Sequence, residues 1–135
     1  LAYPLGGHYH IPHGLSNSLV LPTVLEFNAP AAEALYAELA PLVAGEALTG
    51  SSAARCERLR TDLVTLIADV GLPATLAEAG VAEDSLPRLA EDAMLQQRLL
   101  VNNPRDVSYD DALAIYRAAY GGSVSTGSGQ AGSGA

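Results

Sequence analysis

Ser51-Ser52-Ala53-Ala54-Arg55-Cys56-Glu57-Arg58-Leu59-Arg60-Thr61-Asp62-Leu63-Val64-Thr65-Leu66-Ile67-Ala68-Asp69-Val70 is the stretch whose reading decides the fold class. Leu59, Leu63, Leu66, Ile67 and Val70 recur at helical spacing, with Arg55, Arg58, Arg60 and Asp62 on the opposite side. Such a pattern predicts an amphipathic helix with a buried apolar stripe. Ser51 or Ser52 supplies the N-cap, and Gly71 with Pro73 ends the helix.

The same period extends in both directions. From Pro30 to Val43, Leu35, Leu39, Leu42 and Val43 fall at i, i+4, i+7 and i+8, a second predicted buried stripe that stops at Gly45 and is weakened by Pro41 in its last turn. Ahead of it, Pro12 can serve as the first residue of a helix through Leu15, Leu19, Val20 and Val24, bent at Pro22 and ending near Asn28. Beyond Gly71, a short turn from Thr75 to Ala79 ends at Gly80, and a helix starting near Glu83 turns Leu86, Leu89, Ala90, Ala93 and Met94 inward. Asn102-Asn103-Pro104 breaks the pattern. Ser108 with Asp111 then gives a capping-box-like start to a helix from Tyr109 to Tyr120, with Ala112, Leu113, Tyr116 and Tyr120 on its core face. No β-branched or aromatic run alternates with polar residues as a half-buried strand requires, so the expected class is all-α, a helical bundle. The expected division is one helical domain over residues 1–122 and a Gly/Ser-rich flexible tail over 123–135. The tail contains Gly127-Ser128-Gly129-Gln130-Ala131-Gly132, which satisfies G-x-G-x-x-G but lacks the flanking strand and helix that give that pattern its phosphate-binding geometry.

Composition narrows the function. Seven arginines and no lysine face fifteen acidic residues, so a net charge of -8 leaves no basic stripe for nucleic acid or an anionic membrane surface. Cys56 is the single cysteine, which excludes an intrachain disulfide and fits a reducing compartment; the expected location is cytoplasmic. The apolar run from Leu15 to Leu25 is too short to span a bilayer, and the opening segment lacks the charged and apolar regions of a signal peptide. The chain begins at Leu1 inside an ordered-looking motif, as a piece of something longer would.

That motif, from Tyr3 to Asn17, holds all three histidines. His8, His10 and His13 invite reading as a metal tripod, since three imidazoles can hold zinc or iron with an open position. Neither helix nor strand turns residues at these offsets to one side, however, so at most one is expected to be functional. His13 is that one: it follows Pro12 at a helix start and precedes Gly14, which clears room beside it. Ser16 and Ser18 lack the strand-turn-helix elbow of a nucleophile and read as helix-contact residues. Glu57, Glu78, Glu91 and Asp92 read as solvated charge, and Cys56, despite Arg55 beside it, as a buried inert thiol.

Ala2-Tyr3-Pro4-Leu5-Gly6-Gly7, Ile11-Pro12-His13-Gly14-Leu15-Ser16-Asn17 and Leu21-Pro22 together resemble the signature of iron-containing alcohol dehydrogenases. Phe27-Asn28-Ala29-Pro30 extends the resemblance, and Leu100-Val101-Asn102-Asn103-Pro104-Arg105 with the following Ala114-Ile115-Tyr116 is similar to the C-termini of that family. The likeness covers about Leu1 to Tyr120 and implies the helical C-terminal domain of the dehydroquinate synthase-like fold. It implies a parent enzyme with an N-terminal half that binds NAD or NADP, and a small alcohol or aldehyde as substrate. Fe2+, or Zn2+, would be held by one aspartate and three histidines. His13, from the Pro-His-Gly motif, would be one metal ligand, and the other three would lie ahead of Leu1, so this chain alone should not turn over substrate. Tyr3 takes a position where many relatives carry a histidine near the nicotinamide. A phenol there shapes the substrate pocket and donates a hydrogen bond rather than relaying protons. A homo-oligomer is compatible with this reading. The competing reading is a stand-alone helical docking module without catalytic activity, which should present an apolar patch to a partner.

Overall fold

The computed structural model describes residues 1–121, so the Gly/Ser-rich tail and its glycine motif lie outside the described residues. All regular structure among the described residues is helical: α1 (Ala2–Tyr9), α2 (His13–Ala44), α3 (Ser52–Asp69), a 3₁₀ turn (Glu83–Ser85), α4 (Leu86–Met94), α5 (Gln97–Leu100) and α6 (Tyr109–Gly121). No helix among these residues is long and apolar enough to cross a membrane.

The core forms where α1, the first half of α2, α4 and α6 meet. Leu5, Leu19, Leu86, Leu89, Ala90, Ala93, Ala112, Leu113 and Tyr116 are buried together, joined by Leu76 and Val81 from the loop that follows α3. The periodicity of α4 and α6 therefore identified their inward faces, with Met94 and Tyr120 packed at the edge of the cluster. Ile115 and Ala119 join the buried side of α6. Tyr116 is fully buried, and its hydroxyl donates to the Leu1 carbonyl at 2.6 Å. Burial, with the Asp92 charge adding, raises this phenol far above its ordinary range, so it remains a donor.

The capping signals formed as expected. Ser51 Oγ accepts from the Ala54 N–H at 3.1 Å. Ser108 and Asp111 close a reciprocal box: the Ser108 N–H donates to Asp111 Oδ2 at 3.0 Å and the Asp111 N–H to Ser108 Oγ at 3.2 Å. Gly45 ends α2 at φ 71°, and its N–H donates to the Pro41 carbonyl at 3.0 Å. This left-handed turn is one that glycine adopts without steric cost.

The opening segment, to which the periodicity assigns no element, is a helix, although Pro4, Gly6 and Gly7 are poor helix formers; Pro4 sits in the first turn, where its missing N–H leaves no bond unmade. Three expectations fail. Pro12 is the N-cap of α2 rather than its first residue, with an extended ψ of 142°. The helix expected to stop near Asn28 continues, and its one non-helical residue is Ala32 at φ -128°, ψ 19°. Pro30 removes a hydrogen bond within this helix, and the distortion emerges two residues on. Finally, the predicted buried stripes of the α2–α3 arm are largely exposed. Leu35, Leu39, Leu42 and Val43 face outward, as do Leu66 and Val70, while Ala32, Ala37, Ala40, Cys56 and Leu59 fill the seam between the two helices. Small residues let the backbones approach closely, so the seam closes on the alanine side of α2 and leaves the leucines out.

Candidate functional site

The turn from α1 into α2 is held from several sides. His10, in the left-handed conformation at φ 54°, ends α1 and donates its N–H to the Gly6 carbonyl at 3.1 Å. It is the only non-glycine residue with positive φ among the described residues. Ile11 is then buried as an anchor, and the buried Ser16 reaches back to the Ile11 carbonyl at 3.3 Å. The Ser16 N–H also donates to the Pro12 carbonyl at 2.9 Å, starting the regular helix. With neighbours on both sides fixed, His13 at the first position of α2 points outward.

Its imidazole meets the ring of Tyr3 edge-on, with centroids 5.7 Å apart and planes at 68°. Asn17, one turn along α2, places Nδ2 3.2 Å from His13 Nε2. With the amide nitrogen as donor, Nε2 is the acceptor, and its lone pair is engaged by Asn17. A Cβ added to Gly14 would meet nothing within 4 Å, so the glycine is not required for space, contrary to the sequence expectation.

Tyr3, His13 and Asn17 stand at one side of a pocket of about 340 Å³. Its walls come from Val20, Leu21, Val24 and Phe27 of α2, Leu99 and Leu100 of α5, and Val107 and Ile115 at α6. The far end is built by a polar latch. Asn28 and Asn103 exchange side-chain hydrogen bonds at 2.8 and 2.7 Å, and Asn103 Nδ2 also donates to the Arg105 carbonyl at 2.6 Å. Arg105 stacks over the Phe27 ring, 4.2 Å from its centroid, and donates to the Phe27 carbonyl at 2.9 Å. These contacts bind the Asn-Asn-Pro-Arg segment to α2 and set the position of Phe27. In the sequence Asn102-Asn103-Pro104 reads as a helix break alone; nothing local indicates that Asn103 pairs across the fold with Asn28. Asn17 was legible in principle, because i and i+4 share a helix face with His13.

The other histidines go elsewhere. His8 Nε2 pairs with Asp92 of α4, and His10 is exposed at the α1 terminus. Among the described residues, no group of three or more His, Cys, Asp or Glu side chains comes together to hold a metal ion. His13 thus fits a metal as a single imidazole donor, and the rest of a coordination shell would have to come from outside these residues.

The remaining candidates have structural roles. Cys56 Sγ donates to the Glu33 carbonyl at 3.1 Å; burial and then the Glu33 charge raise its thiol, against a smaller pull from Arg55, which leaves it inert. Glu57 pairs with Arg60, and this hydrogen bond holds its carboxyl below the ordinary range. Glu78 accepts from the Ala74 N–H at 2.9 Å, so with Asp92 it holds a connection rather than standing free in solvent. Ser18 donates to the Leu15 carbonyl at 2.9 Å.

Residues 1–120 match the sequence profile described as Fe-containing alcohol dehydrogenase family, C-terminal. The chain is 37% identical over 124 residues to long-chain-alcohol dehydrogenase 1 of Geobacillus thermodenitrificans strain NG80-2, covering 92% of this chain and 31% of the relative. It is 33% identical to lactaldehyde reductase of Escherichia coli strain K12, over 89% of this chain and 31% of that enzyme. A crystal structure of 1,3-propanediol oxidoreductase superposes with a TM-score of 0.82 at 36% identity, covering 88% of this chain and 31% of that one. The chain therefore spans about a third of the length of the relatives it matches.

Proposed function

The chain belongs to the iron-containing alcohol dehydrogenase family, and from that premise we propose that it is the metal-contributing C-terminal part of an enzyme moving hydride between an alcohol or aldehyde and NAD(P). The observation that carries this reading is the outward-facing His13 beside Tyr3 at the opening of an apolar pocket. A divalent iron or zinc polarises the alcohol or aldehyde oxygen when bound, and a nicotinamide exchanges the hydride. His13 would supply one imidazole to that metal, and in its absence Asn17 holds the ring through the contact at Nε2. Tyr3 packs edge-on against that ring, fixes its plane and offers a hydroxyl donor beside the substrate. The pocket walls orient the carbon chain and exclude water from the reacting end.

Because the relatives are about three times as long as the aligned stretch, the nucleotide-binding half and the other metal ligands are assigned to sequence preceding Leu1. By itself the chain has no parallel sheet to hold a dinucleotide among its described residues, and it is inactive on its own in this account. A reducing, cytoplasmic location fits the single buried thiol. Reading the coding DNA in frame ahead of Leu1 tests the proposal. A histidine codon four positions before Tyr3 and an Asp-x-x-x-His farther upstream are the expected result. Unrelated coding sequence there would leave His13 without co-ligands and overturn it.

A further inference from the structure

The site as described leaves His8 without a task, yet this histidine has a partner across the fold. In the last turn of α1, its Nε2 donates to Asp92 Oδ2 on α4. Asp92 stands on a rigid base, because Leu89, Ala90 and Ala93 beside it are buried in the core. Helix α1 is soft by comparison. Its eight residues are too few for a stable isolated helix, and Gly6-Gly7 weaken its middle. Neither glycine is demanded by space: a Cβ on Gly7 would meet nothing within 4 Å, and one on Gly6 would touch the Ile11 carbonyl at an ordinary 3.5 Å.

The buried residues of α1, Ala2, Pro4 and Leu5, all lie ahead of these glycines. There too the Leu1 carbonyl accepts from the Tyr116 hydroxyl. Past the glycines, Tyr9 packs against the core, donates to Ser85 Oγ at 2.5 Å and accepts from the Ala82 N–H at 3.2 Å. One such pin leaves a helix end free to swivel about it. The contact of His8 with Asp92 supplies a second. Rotation of α1 matters to the site, because this helix carries Tyr3 and leads into the turn that sets His13, and the two rings meet edge-on with centroids 5.7 Å apart.

We propose that His8 and Asp92 are positioning residues of the site: their contact fixes the rotation of α1 and so keeps Tyr3 against the His13 ring. The two side chains are 31% and 34% exposed, and a pair so open to solvent contributes little to global stability. Its effect falls on the placement of a soft helix rather than on whether the chain folds. The consequence for catalysis rests on the reading of His13 as a metal ligand; the ring contact itself does not.

The test follows the His13 ring protons by NMR in the 135-residue chain. Tyr3→Leu marks their position once the contact is lost. His8→Thr, of similar helix propensity but too short to reach α4, is expected to carry the resonances most of the way to that position. Asp92→Ala should do the same from the other side, so a variant lost to misfolding leaves its counterpart to decide. Both are expected to keep a urea midpoint close to wild type, and the double variant should shift the resonances no further than either single one. Gly7→Ala stiffens α1 without a clash and lets Tyr9 alone govern it, so in the His8→Thr background it should bring the resonances back toward wild type. Resonances that stay at their wild-type positions in the single variants, or displacements that add in the double one, would overturn the proposal. So would lost stability with the ring contact intact, which would make the pair a structural tie alone. The readout is independent of the upstream-sequence test: metal-ligand codons with unmoved resonances sink the positioning role alone, and moved resonances without those codons sink the enzyme reading alone.

Discussion

The body formed by α1, the start of α2, α4 and α6 and the arm formed by the end of α2 with α3 have nearly the same kind of sequence pattern and opposite outcomes. In the body, helical stripes such as Leu86, Leu89, Ala90 and Ala93 are buried by several neighbours at once. In the arm, the stripe of Leu35, Leu39, Leu42 and Val43 stays in solvent, and two helices close on each other through alanines, Cys56 and Leu59. Periodicity reports that a helix has an apolar face. Whether that face is buried depends on how many other elements can reach it, and among the described residues the arm has only its own two helices. The site lies on the body side, where the scaffold is held from several directions.

The contrast can be broken most forcefully at Tyr116. Replacing it by alanine empties the fully buried centre of the body, at a cost of about 3–5 kcal/mol in urea unfolding. Tyr116→Phe loses only the bond to the Leu1 carbonyl, about 1 kcal/mol. Next is the latch at the end of the pocket: Asn28→Ala leaves the Asn103 amide without its partner and should cost about 1–3 kcal/mol, with NMR shifts at Phe27 marking the loosened wall. On the arm, Ser51→Ala removes the α3 cap for about 1 kcal/mol, detectable as loss of amide protection confined to the first turn of α3.

A smaller effect is expected with pH. The Ser108 backbone N–H, then its hydroxyl, hold the Asp111 carboxyl below its ordinary range. Its stabilising contribution is complete above the ordinary aspartate range and is lost as pH falls through the depressed folded-state value. Urea unfolding midpoints between pH 2 and pH 6 should therefore show an acid-side slope that Asp111→Asn reduces. The smallest change is Leu42→Ser, at the most exposed leucine of the arm: 77% accessible, it should shift stability by less than about 0.5 kcal/mol. A large loss there would mean that the arm is covered in solution, as the docking-module reading requires.

Much of the fold was legible because its punctuation is local. Ser51, Gly45 and the Ser108–Asp111 box act within a few residues of themselves, so their chemistry can be read without a partner. What escaped depends on distant contacts. Helix α1 overrides the poor propensity of Gly6 and Gly7 by burying Leu5 among residues of the core, and the Asn28–Asn103 pair joins positions that nothing in either neighbourhood links. At the site, His13 could be singled out from Pro12 before it and from the resemblance around it, whereas its contacts with Tyr3 and Asn17 needed α1 folded back beside α2.

The central claim is that His13 serves a metal shared with sequence outside this chain. The direct measurement is the iron and zinc content, after desalting, of the polypeptide that joins this chain to its nucleotide-binding half, for the wild type and for His13→Ala. The account predicts that the variant loses bound metal while keeping the helical content and unfolding midpoint of the wild type, since His13 is exposed and outside the core. A His13→Ala protein that retains its full metal complement would contradict it.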